Sequence, residues 1–418
     1  MPKAEADTPV LAVDDAAALH EVMASAVADK TRLEVVGSGS RRDLGRPVEA
    51  DAVVDLSGLA GITLYEPDEL VMTARAATPL DDILTALEDA GQVLAFDPPL
   101  RPHGEMRARG TIGGLMATNQ SGPRRLVAGA ARDYLLGFKA VSGRGEGFQS
   151  GSRVMKNVTG YDLSKLMAGS FGTLAVMHEL TLKTMPKPET AATILHVCPD
   201  ATTAQKLVGA VYASPHEASM AAMIPVATAV FSKSPVFADF AQKGTIVAIR
   251  VEGFDLSVRA RSKALADPAI GSVVEQTAPG FITSAEDSDI IHEELREVSL
   301  LPRQNNRVIW KISCPPETGG RLLDGLLARP NCRAYADWAG GLIWLSHPSG
   351  GDAGAQAIRS MVAETGGHAM LVEAPEDMRR KGDVFPPQED VLMKLTSRIK
   401  TGFDPEGILN PGRMYEGI

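Results

Sequence analysis

The sequence lacks any run of about 18 apolar residues, so it has no segment long enough to cross a bilayer as a helix. Its opening residues, MPKAEADTPV, are acidic and without the basic, apolar and small-residue zones of an export signal, so a cytoplasmic location is expected. Cysteine is scarce. Cys198, Cys314 and Cys332 are far apart and form no C-x-x-C pair, so neither a disulfide framework nor a bound iron–sulfur cluster is expected. An electron taken up here must leave through another molecule. The 8 histidines never fall two to five residues apart, which excludes a sequence-local metal clamp and leaves only a metal assembled from distant ligands. No metal site is expected. Positive charge is also short: 42 basic against 52 acidic residues give a net charge of −10, with no basic stripe to attract nucleic acid.

What is present is ordinary globular material, 44% hydrophobic over 418 residues, enough for two to three domains at about 150 residues each. Leu19, Val22, Met23, Ala26 and Val27 predict an amphipathic helix over 14–29, with Asp14 or Asp15 as cap. Strands are expected over 33–36, 52–56 and 174–182. A second helix is expected over 78–90, with Thr78 at the N-cap, Pro79 at N1 and Gly91 as the stop. Pro186 and Pro188 mark a domain boundary near 187, and a helix containing Leu392, Leu395 and Ile399 begins the last segment near 388.

Gly37-Ser38-Gly39 after a strand invites a dinucleotide-binding reading, with Asp55 at about the distance of a ribose-binding acid. That reading fails, because Arg42 holds the third glycine position, and Gly45 and Pro47 interrupt any following helix. A glycine turn between two strands can still accept phosphate through consecutive main-chain N–H groups. The segment from Gly110 to Gly122 offers a second such turn, with Thr111, Thr118, Asn119 and Ser121 as further donors. Taken singly, each segment reads equally well as a tight turn.

Read in order, Gly37-Ser38-Gly39-Ser40, Gly110-Thr111-Ile112-Gly113-Gly114, Arg132-Asp133 with Gly137, Val154 to Leu163, and Gly169 to Leu174 resemble the FAD-binding domain of the vanillyl-alcohol-oxidase type of flavoproteins. Phe403-Asp404-Pro405 and Gly407 to Arg413 are similar to that family's closing motif. Asp97-Pro98-Pro99, Ser121 to Arg125 and Val154 to Leu166 resemble in particular the FAD-binding subunits of glycolate oxidase. The resemblance implies an α+β protein. A PCMH-type FAD-binding domain of two α+β subdomains is expected over 1–187, an α+β cap with antiparallel sheet over 188–388, and a return to the FAD domain over 389–418.

Carried over by resemblance, Gly37, Ser38, Gly39 and Ser40 cradle the pyrophosphate. Thr111, Gly113, Gly114, Thr118 and Ser121 continue around phosphates and ribose. Asn157, Gly160, Tyr161 and Asp162 wall the flavin side, and Gly172, Thr173, Leu174 and Val176 pass the adenine end. Asn410 belongs to the closing motif. Tyr161 has an alternative reading as a buried aromatic with a tethered hydroxyl. No histidine or cysteine lies between Gly37 and Pro47, so non-covalent FAD is expected; His103 is the one histidine near a flavin loop.

Oxidation of a 2-hydroxy acid by flavin requires a carboxylate anchor and a base. Arginines are available, but no evident base. The resemblance brings Arg413 toward the flavin as a catalytic residue that stabilises charge on the reduced ring; the other reading is structural, pairing with a C-terminal carboxylate. The related catalytic subunits carry histidines in the cap, whereas the stretch from Ala334 to Leu345 has none, which argues against turnover by this chain alone. The resemblance implies a homologous FAD-linked catalytic subunit and an iron–sulfur subunit as partners, a small hydroxy acid as substrate, and at most a peripheral association with the inner face of the cytoplasmic membrane. A free-standing oxidase of hydroxy acids or alditols, and a non-catalytic FAD-binding scaffold, stay open as other readings.

Overall fold

Asp15 turns the first extended segment into a helix: its carboxylate accepts from the Ala18 amide at 2.8 Å, and Ala16–Asp29 follows. Leu19, Met23 and Ala26 on one face of that helix are buried against Leu33, Ala52 and Val54. The computed structural model describes residues 8–100, 109–153, 160–240, 244–271, 279–303 and 306–418. These form two compact units, one from the described parts of Met1–Ser121, Ala130–Lys187 and Arg379–Ile418, the other from Gly122–Gly129 and Pro188–Met378.

The first unit contains two layers of α+β structure. Val10–Ala12 and Leu33–Val36 flank Ala52–Asp55 in a parallel sheet, and the C-terminal segment joins its edge, where Leu33 exchanges main-chain bonds with Ile408 and Asn410 at 2.7 and 2.9 Å. An antiparallel sheet runs in the order Ile62–Glu66, Val71–Arg75, Ala175–Lys183, Leu135–Ser142, Gly147–Gly151. The helix expected over 78–90 is Leu80–Asp89, and Thr78 does not cap it. The Thr78 hydroxyl is buried and donates to the Arg75 carbonyl at 2.6 Å while accepting from the Gly61 amide at 2.9 Å. Tertiary partners outbid the local cap.

In the second unit, eight antiparallel strands run in the order Phe281–Ile282, Thr190–Cys198, Thr245–Gly253, Met220–Pro225, Arg333–Asp337, Leu342–Pro348, Arg307–Ser313, His368–Glu373. One face packs Leu195, Ile224 and Ile246 against Ile291 and Leu295 of the Ala285–Arg296 helix. Each such side chain contributes about 1.5–3 kcal/mol by leaving water. Tyr335 belongs to this core, its hydroxyl donating to the Leu295 carbonyl at 2.9 Å.

Two segments fall outside the expected boundaries, for identifiable reasons. Gly122–Gly129 packs with the second unit, because Trp338 Nε1 donates to the Gly122 carbonyl at 3.0 Å and Arg124 pairs with Glu252 at 3.1 Å. The chain rejoins the first unit already at Arg379, whose guanidinium binds the Gly45 carbonyl and Asp43, each at 3.0 Å. No helix among the described residues is long and apolar enough to cross a membrane.

Candidate functional site

Leu33–Val36 points its C-terminal end into a cleft of about 850 Å³, open solvent at its mouth included. The chain leaves the strand at Gly37 and turns at Gly39, whose φ of 75° lies in the left-handed region that side chains oppose. The turn spares Ser38, Gly39 and Ser40 from sheet pairing, and among the described residues their amides meet no acceptor. Three consecutive donors therefore border the cleft.

The second glycine segment adjoins this turn, with Thr111 against Gly37, as a short helix rather than the expected loop. Thr111 is its N-cap, accepting from the Gly114 amide at 3.3 Å, and Ile112–Thr118 follows. Gly113 is required by contact: a Cβ there would lie 2.8 Å from both Cβ and the carbonyl oxygen of Ala76. Thr111, Gly113, Gly114 and Thr118 line the cleft. The Thr118 hydroxyl is committed to the Gly114 carbonyl at 2.8 Å, so Thr118 contributes its surface and not a spare donor. Ser121 is buried outside the lining, where its hydroxyl accepts from the Ala131 amide at 3.0 Å. Asn119 likewise accepts from the Arg132 amide at 3.0 Å.

Gly172, Val176, Asn410 and Arg413 complete the lining together with Gly37, Ser38, Gly39 and Ser40. Thr173 and Leu174 are buried beside it and do not line it. Gly160, Tyr161 and Asp162 are not brought to the cleft. Tyr161 is 93% exposed, which overturns its reading as a buried, tethered aromatic, and Asp162 pairs with Lys165 at 3.4 Å. Asn157 and His103 lie outside the described residues.

The closing motif fastens this cleft from behind. Asn410 accepts from the Val35 amide and donates to the Phe171 carbonyl, both at 2.9 Å, bridging the strand to the 171–173 turn. Arg413 is buried; its guanidinium donates to the Arg41 carbonyl at 2.8 Å, and burial, partly offset by Glu34, pushes it down to about 10. Its partners are main-chain carbonyls, including that of Arg46 at 3.5 Å, so it acts as a brace for the glycine turn.

Lys400 and Arg41, to which the sequence analysis gave no role, contribute here together with Asp404 of the closing motif. Buried Lys400 donates to Asp404 at 2.6 Å, to the Thr173 carbonyl at 2.8 Å and to the Leu409 carbonyl at 3.0 Å. Asp404 in turn accepts from the amides of Ile408 and Leu409. Arg41 lines the cleft next to Ser40, held by Gln120 at 2.7 Å and the Arg109 carbonyl at 3.1 Å, while Arg42 pairs with Glu34. The adjacent Arg41-Arg42 pair was the available signal for a cationic flank; nothing local marked Lys400. Among the described residues no group of three or more His, Cys, Asp or Glu is arranged to hold a metal ion.

Comparison with known proteins bears on this geometry. Residues 8–150 match a family described as FAD binding domain. Glycolate oxidase subunit GlcE of Escherichia coli is 33% identical over 403 residues, covering 96% of this chain and 98% of its own. Glycolate oxidase subunit GlcD of Bacillus subtilis is 31% identical over 52% of this chain and 45% of its own. In fold, the chain is similar to a crystal structure of p-cresol methylhydroxylase with substrate bound, with a TM-score of 0.69 at 14% identity, covering 97% of this chain and 88% of that one. With a third of its residues shared across nearly the full length of both proteins, the chain belongs to the family of glycolate oxidase subunit GlcE, and so to the FAD-dependent oxidoreductases.

Proposed function

We propose that this chain is the FAD-binding subunit of a glycolate oxidase complex, contributing to oxidation of glycolate to glyoxylate and passing electrons to partner subunits. The likeness to GlcE over nearly its whole length supports the subunit reading, and the likeness to GlcD supports a homologous FAD-linked partner. An iron–sulfur partner completes the route, since the three buried cysteines are scattered. A cytoplasmic location, with at most peripheral contact with the membrane, goes with this reading.

The observation that carries the proposal is the turn of unused amides at Ser38, Gly39 and Ser40, bordering one cleft together with Thr111, Gly113 and Gly114. A diphosphate fits there, because its charge would be met by main-chain N–H groups that need no reorganisation. Gly37 and Gly39 keep side chains out of the way, and Arg41 adds positive charge at the flank. Gly113 allows the Ile112–Thr118 helix to pack close behind, and Gly172 and Val176 flank the remainder. Asn410 and Arg413 hold the two turns in register, so Arg413 is a positioning residue. Bound FAD supplies a hydride acceptor that is later reoxidised by passing its electrons on.

The test is the absorption spectrum of the purified chain. Flavin bands, released into the supernatant on denaturation, are expected. A colourless protein that takes up no added FAD overturns the proposal. Glycolate is expected to bleach the flavin only when the partner subunits are present. Bleaching without them, followed by oxygen consumption, supports a free-standing oxidase instead, and no bleaching with the whole complex supports a scaffold.

A further inference from the structure

Three strands of the second unit meet around Lys311, far in sequence from the glycine turns of the cleft. Lys311, in Arg307–Ser313, lies opposite Trp344 on one neighbouring strand and opposite Met370 on the other. Its Nζ stands 5.2 Å from the ring centre of Trp338 and 5.7 Å from that of Trp344. The guanidinium carbon of Arg125 lies 4.5 Å from the same Trp338 ring. Two cations thus share one indole.

Two half-buried cations stand side by side only at a cost, which the faces of two indoles offset in part. Burial, and then the charge of Arg125, push the Lys311 amine down to about 8. Among the described residues no carboxylate forms an ion pair with Lys311. The surroundings are nevertheless firmly built. Trp338 and the next residue, Ala339, hold φ of 51° and 55°, left-handed values that L side chains resist and that persist where neighbours enforce them. The Asp337 carboxylate accepts from the Trp338 amide at 2.7 Å, and the indole N–H is tied to the Gly122 carbonyl at 3.0 Å. Glu252 fixes the segment carrying Arg125, pairing with Arg124 at 3.1 Å while accepting from Arg250 at 2.9 Å. A strained backbone that fixes the indole, and beside it an amine to which no described carboxylate is paired, are the arrangement expected where an anion is to be received.

We infer that Lys311 and Arg125, walled by Trp338 and Trp344, form a binding site for the carboxylate of a small hydroxy or oxo acid. A carboxylate matches the planar fork of an arginine and accepts a further hydrogen bond from an ammonium group, relieving the repulsion between the two. Phosphate is better served by runs of amides, such as those at Ser38–Ser40. The inference rests on the proposed function only in the choice of acid; the site itself lies wholly within the second unit.

The three tryptophans of the chain, Trp310, Trp338 and Trp344, all lie in this unit, so intrinsic fluorescence reports on the site without turnover. The full chain, supplied with FAD, is titrated with oxalate, glycolate and inorganic phosphate. A saturable change with the two carboxylates is expected, at least tenfold weaker in Lys311→Met and within about threefold of wild type in Lys311→Arg, with bound flavin and melting temperature unchanged in both. Equal affinity in wild type and Lys311→Met, phosphate binding as tight as oxalate, or no saturable change overturns the inference. A wild-type chain that binds oxalate but takes up no FAD leaves this site standing and removes the proposed function; one that holds FAD but ignores carboxylates does the reverse.

Discussion

Around Ser38–Ser40 the groups available to an anion are main-chain amides on a turn, whereas around Lys311 they are the ends of two long side chains against indole rings. Amides hold their position only if the chain on both sides is pinned, and here the pins are distant in sequence: Asn410 on Val35, Arg413 on Arg41, Lys400 on Thr173. The cationic cluster is held by strand pairing, Lys311 opposite Trp344, and by remote contacts of its own, Trp338 on Gly122 and Arg124 on Glu252, but the groups it offers are side chains. A main-chain site should therefore fail when a remote brace is cut, and a side-chain site when its own residue is changed.

The largest expected effect tests the brace. Asp404→Ala leaves buried Lys400 without its counter-charge and strips acceptors from the amides of Ile408 and Leu409, so a loss of about 3–5 kcal/mol of stability is expected. Chemical denaturation followed by flavin release measures it; a loss below about 1 kcal/mol means that the clasp does not hold the cleft together.

Next in size is Gly39→Val, which forces a β-branched residue into φ of 75°. Flavin retention is expected to fall by about a hundredfold or more, with the tryptophan response to oxalate retained. Unchanged flavin content here locates the diphosphate elsewhere. Lys311→Met is expected to reverse that pattern, keeping flavin while weakening carboxylate binding about tenfold. If the variants affect both ligands alike, the contrast between the two regions collapses.

The smallest effect concerns the pair Arg32–Asp51, at 2.8 Å on the surface of the first unit. The Arg32 side chain and amide together hold the Asp51 carboxyl down to about 2. A carboxyl lowered in the folded state stabilises above its unfolded value near 3.8, and that contribution disappears as pH falls through about 2. Both side chains are close to half exposed, so water and salt screen the pair, and Asp51→Asn is expected to cost at most about 1 kcal/mol at neutral pH. Melting temperatures of the two proteins compared at neutral pH and near pH 2 check this; a difference that persists at the lower pH contradicts the assignment.

Much of the first unit is legible in the order of its residues. Leu19, Met23 and Ala26 announce their helix by spacing, and Gly37-Ser38-Gly39 announces a turn that no helix follows. Misreadings arose where a distant partner competed with a local preference. Thr78 has the chemistry of a cap, yet Gly61 and Arg75 claim its hydroxyl. Gly113 and Gly114 read as loop by composition, yet they sit in a helix because Gly113 must pass close to Ala76. Tyr161, which also reads as a buried aromatic, stands in solvent instead.

By itself, the sequence determined the period of its helices and strands, the turn at Gly39 and the family to which these motifs belong, because propensity, hydrophobic spacing and glycine conformation are properties of neighbours along the chain. Which amides border one cleft, that Lys400 closes it from 227 positions away, and that Arg125 and Lys311 meet over Trp338 were decided by tertiary structure alone. Charge pairing and burial depend on distance through space, and no local pattern in the chain encodes which remote residue will arrive.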